Sequence, residues 1–311
     1  MKVVVTGGAG FIGANLCRAL AVDAAVDHVV ALDDLSTGQR RNLAGIDAVN
    51  LVEGSILEPG LLDGVLEDAA AVVHLAARPS VPRSLADPMA SHLVNATGTM
   101  EVLEAARRGC RPQVVMASSS SVYGANPTLP KREDMATMPV SPYAASKLAA
   151  ESATLAYGRS FDLPVLAFRF FNVFGPLQTA DHAYAAVVPT FVACALRGDP
   201  LPVHGDGRQT RDFTYVGSVV AVLRQAVLRG LSDPGPVNLA FGSRIPLLTL
   251  IEILEKILDR SLPRRHTEPR AGDIHDSQAD QSRLRRLFPD IEPVTLEEGL
   301  RDTVAWFEGN A

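Results

Sequence analysis

Short apolar runs alternate with stretches of helical period through the first half of the chain. The runs Val3–Thr6, Val29–Asp33, Val49–Glu53, Val72–Ala76, Val114–Ser118 and Val165–Phe170 read as strands. Between them, Phe11–Leu20, Leu61–Leu66, Pro88–Arg108 and Pro142–Ser160 read as helices, the first with Ile12, Leu16 and Leu20 at helical spacing. Alternation on this scale predicts an α/β fold with a doubly wound parallel sheet. Ligands on such sheets sit at the carboxyl ends of the strands, where the motifs below fall. Composition shifts near Asn172, beyond which Gly175-Pro176, Gly198-Asp199-Pro200 and Gly205-Asp206-Gly207 join shorter elements. The expected division is a first domain over 1–171 that reclaims about 212–240, and a smaller α/β substrate domain over most of 172–311.

The first strand run leads directly into Gly7-Gly8-Ala9-Gly10-Phe11-Ile12-Gly13, which opens the first helical segment. The second strand run closes on Asp33-Asp34. A strand, a glycine turn, a helix N-terminus and then an acid is the order that a dinucleotide site requires. Glycines admit the backbone to the pyrophosphate, and the free N–H groups and dipole of the helix N-terminus attract its charge. The Asp33 carboxylate suits a ribose 2′-hydroxyl and repels a 2′-phosphate, so the expected cofactor is NAD.

Composition narrows the remaining classes. The chain has 311 residues, 47% of them apolar, enough for a large core. Its net charge of −6 gives no basic surface for nucleic acid. No apolar stretch has the length of a bilayer span, and the first residues already form a strand, so neither a membrane anchor nor a signal peptide is expected. Cys17, Cys110 and Cys194 are sparse and lack Cys-x-x-Cys spacing, which predicts reduced cysteines and a cytoplasmic setting. The seven histidines show no metal-ligand spacing, and no metal is expected.

Tyr143 and Lys147 stand one helical turn apart at the start of the fourth helical segment, after a strand that ends in Ser118-Ser119-Ser120-Ser121. A free phenol, with a pKa near ~10, is a poor base at neutral pH. A neighbouring ammonium and a cationic nicotinamide ring would both favour the phenolate and pull that pKa down.

With these motifs in order, the chain resembles the extended short-chain dehydrogenase/reductase family, within it the NAD-dependent nucleotide-sugar 4-epimerases. The likeness spans the chain through His74–Ala77, Ser118–Gly124, Ser141–Lys147, Arg169–Pro176, Gly205–Val216 and Arg270–Asp273. It implies a Rossmann-type NAD domain and a UDP-sugar substrate. Tyr143 would take the proton from the sugar 4-hydroxyl as carbon 4 yields hydride, Lys147 would tune it and bind the nicotinamide ribose, and Ser119 would hydrogen-bond the same oxygen. Cofactor contacts are implied at Gly7, Gly10, Phe11, Ile12, Gly13, Asp33, Ser36, Ser55, Ile56, Leu75, Ala76 and Ala77, besides Tyr143 and Lys147. Substrate contacts are implied at Arg83, Ser120, Ser121, Asn172, Val188, His204, Arg211, Arg270, Asp273 and Ser277, with Arg211 and Arg270 clamping the diphosphate. The helices Pro88–Arg108 and Pro142–Ser160 match those that pair two subunits in this family, so a homodimer is expected.

The resemblance also ranks reactions. Dehydratases and decarboxylases of this family typically carry a carboxylate two residues after the catalytic Ser/Thr, whereas this chain has Ser121, which favours epimerisation. Ser277 stands where some 4-epimerases have a tyrosine that narrows the pocket, and Ser80–Ser84 is similar to a loop of enzymes that accept N-acetylhexosamines. A UDP-hexose or UDP-N-acetylhexosamine is therefore expected, with UDP-glucuronate open. Two departures stand out. Ser55 replaces an Asp common near the adenine, and Gly217-Ser218 replaces an acidic pair, with Ser218 expected to cap the following helix.

Overall fold

The computed structural model describes residues 1–180, 185–268 and 276–310. Six strands arise close to the predicted runs: β1 (Lys2–Thr6), β2 (His28–Asp33), β3 (Val49–Glu53), β4 (Ala69–His74), β5 (Gln113–Ser119) and β6 (Val165–Phe170). Beyond them come the short β7 (Val173–Phe174), β8 (Leu201–His204), β9 (Thr210–Arg211) and β10 (Thr214–Tyr215), then β11 (Val237–Leu239), β12 (Ile245–Pro246) and β13 (Arg264–Thr267). The central sheet runs β3-β2-β1-β4-β5-β6-β11 with every pair parallel. The order reverses between β1 and β4, and that crevice is where a doubly wound sheet takes its ligand.

The helices are α1 (Phe11–Ala21), α2 (Leu61–Val65), α3 (Val81–Ala86), α4 (Pro88–His92), α5 (Gly98–Arg108) and α6 (Pro142–Phe161). Then follow α7 (Val187–Arg197), α8 (Val216–Leu228), α9 (Leu247–Leu258), α10 (Ser282–Leu287) and α11 (Leu296–Glu308). Successive side chains of a strand face opposite ways. Val3 and Val5 accordingly join the core built with Leu16 and Leu20 of α1 and Val219 and Leu223 of α8. Val4 joins the opposite core, with Leu62 of α2 and Val102 and Leu103 of α5. A separate, smaller core gathers Phe174, Val188, Phe191, Leu250 and Leu300 from β7, α7, α9 and α11.

Three details differ from the pattern read in the sequence. Strand β4 ends at His74 rather than Ala76, because the Ala76 N–H leaves the ladder for Thr6 Oγ1 (3.3 Å). The single helix expected over Pro88–Arg108 is interrupted by a π turn, Leu93–Thr97, between α4 and α5. Ser218 does not cap α8: Tyr215 occupies the N-cap without a side-chain bond, and the Ser218 hydroxyl accepts from Val294 N (2.9 Å) instead.

Helix α6 starts where the sequence supplies both signals for a start. Ser141 is the N-cap and accepts from Ala144 N (3.2 Å), and Pro142 occupies the first turn, where its missing N–H costs nothing. This start sets Tyr143 and Lys147 against the end of β5.

Candidate active site

The turn between β1 and α1 is shaped for a close backbone approach. Gly7 has φ +70°, and a Cβ there would lie 2.8 Å from Ala76 N. A Cβ on Gly13 would lie 2.1 Å from Gly7 O, so α1 packs onto the turn only with glycine at that position. Gly10 caps α1 without any side-chain bond, which leaves the first N–H groups of the helix facing out of the turn. Phe11 and Ile12 are half-buried against the core beneath it. These features fit a dinucleotide pyrophosphate, whose oxygens would be held by the N–H groups of this turn.

Asp33 closes the same crevice. Its carboxylate is buried, accepts from Ala9 N and Leu35 N (both 2.9 Å), and leaves no room for a side chain at Gly38. Burial raises its pKa, and the backbone donors oppose that rise. Ser36 is exposed with its hydroxyl on Asp34 (2.6 Å), while Ser55 Oγ accepts from Leu57 N (3.2 Å). Ile56 is buried against Gly98 of α5. Leu75, Ala76 and Ala77 leave β4 half-buried, facing the glycine turn across the crevice.

A hydrogen-bond chain fixes the floor between these two segments. The Thr99 hydroxyl donates to Asn95 O (2.6 Å), so it accepts from His74 Nε2–H (3.0 Å). His74 Nδ1 is then the acceptor for Thr6 Oγ1 (2.7 Å), which itself accepts from Ala76 N. Burial, helped by the charge of Lys147, pushes the His74 pKa down to about 3, so the ring stays neutral.

On the other side of the crevice, three residues of β5 meet α6 or the turn after β5. Lys147 is buried, its Nζ donates to Ala117 O (2.8 Å), and burial lowers its pKa to about 8. Ser118 Oγ donates to Glu151 (2.6 Å), which forms a buried ion pair with Arg169 (2.7 Å). Ser119 Oγ accepts both Ser121 N (3.2 Å) and the Ser121 hydroxyl (2.9 Å). With its acceptor sites taken, Ser119 has its own proton to give, and its hydrogen-bonding interaction with Tyr143 lowers the phenol pKa. Burial is the larger effect, and the pKa of Tyr143 in the protein alone lies above the ordinary tyrosine value. The Lys147 ammonium is anchored on a backbone carbonyl of β5. Lowering the phenol pKa further falls to a positive charge brought by a ligand.

Four of the residues assigned to substrate line one cavity of about 220 Å³: Asn172, Val188, His204 and Arg211. Asn172 has φ +26°, and its amide donates to Asp212 O (3.1 Å). The His204 ring is oriented by Thr267 Oγ1 (2.7 Å), and Arg211 Nη1 is held on Thr210 O (2.9 Å). Arg83 lies apart, on α3, and Ser120 and Ser121 belong to the turn after β5. Ser277 N donates to Thr210 O (3.1 Å). Arg270 and Asp273 lie outside the described residues.

Several residues at the site have no role that the sequence motifs assign. Asn95, in the π turn, accepts from Arg78 N (2.7 Å) and donates to Ser146 Oγ (3.0 Å), joining the loop after β4 to α6. Such turns widen a helix locally and recur at functional sites. Ser80 has φ +95° and a buried hydroxyl, and Gln178 in the cavity wall has a buried Oε1; both atoms lack a partner among the described residues. Asp212 is fully buried behind the cavity, and burial pushes its pKa up to about 6.

The model of the NAD dependent epimerase/dehydratase family matches residues 3–240. The chain is 36% identical to a UDP-glucose 4-epimerase of Mycolicibacterium smegmatis, with both chains fully covered. A UDP-N-acetylglucosamine 4-epimerase from Methanobrevibacter ruminantium M1, solved with UDP-N-acetylmuramic acid, superposes with a TM-score of 0.93 at 35% identity, covering 100% of this chain and 99% of that one. A UDP-glucuronic acid 4-epimerase from Bacillus cereus, solved with UDP-glucuronic acid and NAD, gives 0.90 at 31% identity and full coverage of both. NAD is the cofactor that these likenesses assign. The chain belongs to the NAD-dependent epimerase/dehydratase family, in the extended short-chain dehydrogenase/reductase group.

Proposed function

We propose that the protein is an NAD-dependent 4-epimerase of a UDP-sugar of the glucose/galactose or N-acetylglucosamine/N-acetylgalactosamine type. The observation that carries this reading is the end of β5, where Ser119 faces Tyr143 and Ser121 supports Ser119 without any carboxylate. When bound, NAD would supply the hydride acceptor and donor for carbon 4 of the sugar. Tyr143 accepts the 4-hydroxyl proton and later restores it, with Ser119 donating to the same oxygen. Lys147 supplies positive charge beneath the site and a donor for the nicotinamide ribose. Asn172, Val188, His204 and Arg211 hold the UDP portion, so 172–311 contributes mainly substrate contacts and 1–171, with about 212–240, the NAD site.

Elimination of water needs a proton carrier beside the neighbouring carbons, and a serine hydroxyl is a poor one. The 4-keto sugar is therefore left to turn over and take the hydride back on its other face. The experiment is incubation of the purified protein with a panel of UDP-sugars, UDP-glucuronate included, without added reductant, followed by product NMR and mass. Epimerisation inverts carbon 4 at constant mass, while loss of 18 or 44 mass units, as water or carbon dioxide, contradicts the proposal.

A cytoplasmic homodimer completes the reading. Among the described residues no helix is long and apolar enough to cross a membrane. Leu85, Met89, Leu93 and Met100 expose apolar side chains along the α3–α5 face, which supports pairing of two copies there. Light scattering that returns a monomer mass contradicts this part.

A further inference from the structure

Asp212 does not line the cavity, yet its carboxylate and backbone hold several of the segments that do. Its Oδ1 accepts from Ser243 N (3.2 Å) and Ser243 Oγ (2.8 Å), and its Oδ2 accepts from Ala279 N (3.0 Å). Gly242 N adds a further backbone donor. Its own carbonyl accepts the Asn172 amide (3.1 Å). On either side in sequence stand Arg211 and Phe213, both in the cavity wall. The segment at 242–243 leads into β12 and Leu247, also in the wall. The segment ending at Ala279 contains Ser277, and is tied again to Thr210 through Asp276 (2.5 Å) and Ser277 N.

We propose that Asp212 is a positioning residue for nucleotide binding, whose carboxylate staples the 242–243 and 276–279 segments to the strand that presents Arg211. The assignment rests on the proposed binding of a UDP-sugar in this cavity. The chemistry explains why a carboxylate stands here. Several donors converge on two oxygens, and an ionised carboxylate is acceptor-only with lone pairs for all of them. Asparagine has one acceptor oxygen, so its NH₂ would confront Ala279 N or Ser243 N, donor against donor. The loss would reach Arg211 through the adjacent backbone and Ser277 through its own segment. It would not reach Tyr143, Lys147 or the glycine turn, which belong to the central sheet and its helices.

The test compares wild type, Asp212→Asn and Ser243→Ala, all loaded with NAD, by calorimetric titration with UDP alone and by steady-state kinetics on whichever UDP-sugar turns over. Asp212→Asn is expected to weaken UDP binding and raise KM by about 10-fold or more, with kcat within about 3-fold of wild type. Ser243→Ala removes one donor and keeps the carboxylate, and is expected to raise both by about 3-fold. A general loss of structure would instead lower kcat and bound NAD together. Wild-type UDP affinity in both folded variants overturns the assignment, as does equal loss of kcat and NAD. If Asp212→Asn does not fold, an unchanged UDP affinity in Ser243→Ala overturns it. Because UDP binding is read without turnover, a wild type that binds UDP but converts no UDP-sugar contradicts the proposed reaction and leaves this assignment standing.

Discussion

Ser121 donates twice to Ser119, through its backbone N–H at 3.2 Å and its hydroxyl at 2.9 Å. The resemblance to 4-epimerases implied a substrate contact for Ser121, and its hydroxyl also orients the serine beside Tyr143. Ser119→Ala is expected to lower kcat by about 100-fold or more, as for loss of a group in contact with the transferred proton. Ser121→Ala removes one orienting bond and is expected to cost only about 3- to 10-fold in kcat, with KM unchanged. Steady-state kinetics on the two variants checks the ranking.

The neutral His74 gives the fold a dependence on pH. Its pKa falls from the usual 6.5 to about 3 in the folded protein, so below 6.5 the unfolded chain binds a proton that the folded chain refuses. This contribution is present in full above pH 6.5 and is lost as pH falls toward 3, at about 1.4 kcal/mol per unit. Between pH 7.5 and 5 the wild type should lose about 2 kcal/mol more than His74→Gln does. Denaturant titrations of both proteins at the two pH values check the difference.

Gly13 and Gly64 separate a glycine that is required from one that is not. Gly13→Ala drives a methyl toward Gly7 O, and should cost about 1–3 kcal/mol and strip bound NAD. Gly64 lies within α2 with open space where a side chain would stand, so Gly64→Ala should stabilise by up to about 1 kcal/mol and leave NAD bound. Melting curves and the absorbance of released cofactor report both effects.

Asn95 offers a test of the π turn. Asn95→Ala leaves Arg78 N without its partner and frees Ser146 Oγ from α5's side of the crevice. An unsatisfied buried donor costs about 1–3 kcal/mol, and the loop Ala76–Arg78 should loosen, raising the KM for the sugar. Hydrogen exchange at Arg78, faster in the variant than in wild type, is the matching observation.

The parallel sheet and the glycine turn were legible in sequence because both depend on local signals: apolar runs of strand length, and glycines where a Cβ has no space. The start of α6 was legible for the same reason, through Ser141-Pro142. What escaped depends on partners far away in the chain. Asp212 meets Ser243 and Ala279, 31 and 67 residues distant, so its place in the Gly205–Val216 motif gives no sign of what its carboxylate holds. The π turn escaped because one extra residue in a helix barely disturbs its apolar period, and Asn95 shows its use only once Arg78 and Ser146 stand beside it. The anchor of Lys147 escaped as well, because its position one turn after Tyr143 cannot reveal that the ammonium donates to Ala117 O.

The central claim is that the Tyr143 phenol moves the proton that accompanies hydride removal from the sugar. Its most direct measurement is epimerisation by wild type and Tyr143→Phe, followed by NMR of the UDP-sugar at constant NAD content. The account predicts conversion at unchanged mass by wild type and a loss of about 1000-fold or more in kcat for Tyr143→Phe, with UDP affinity retained. Turnover by Tyr143→Phe at the wild-type rate would contradict it.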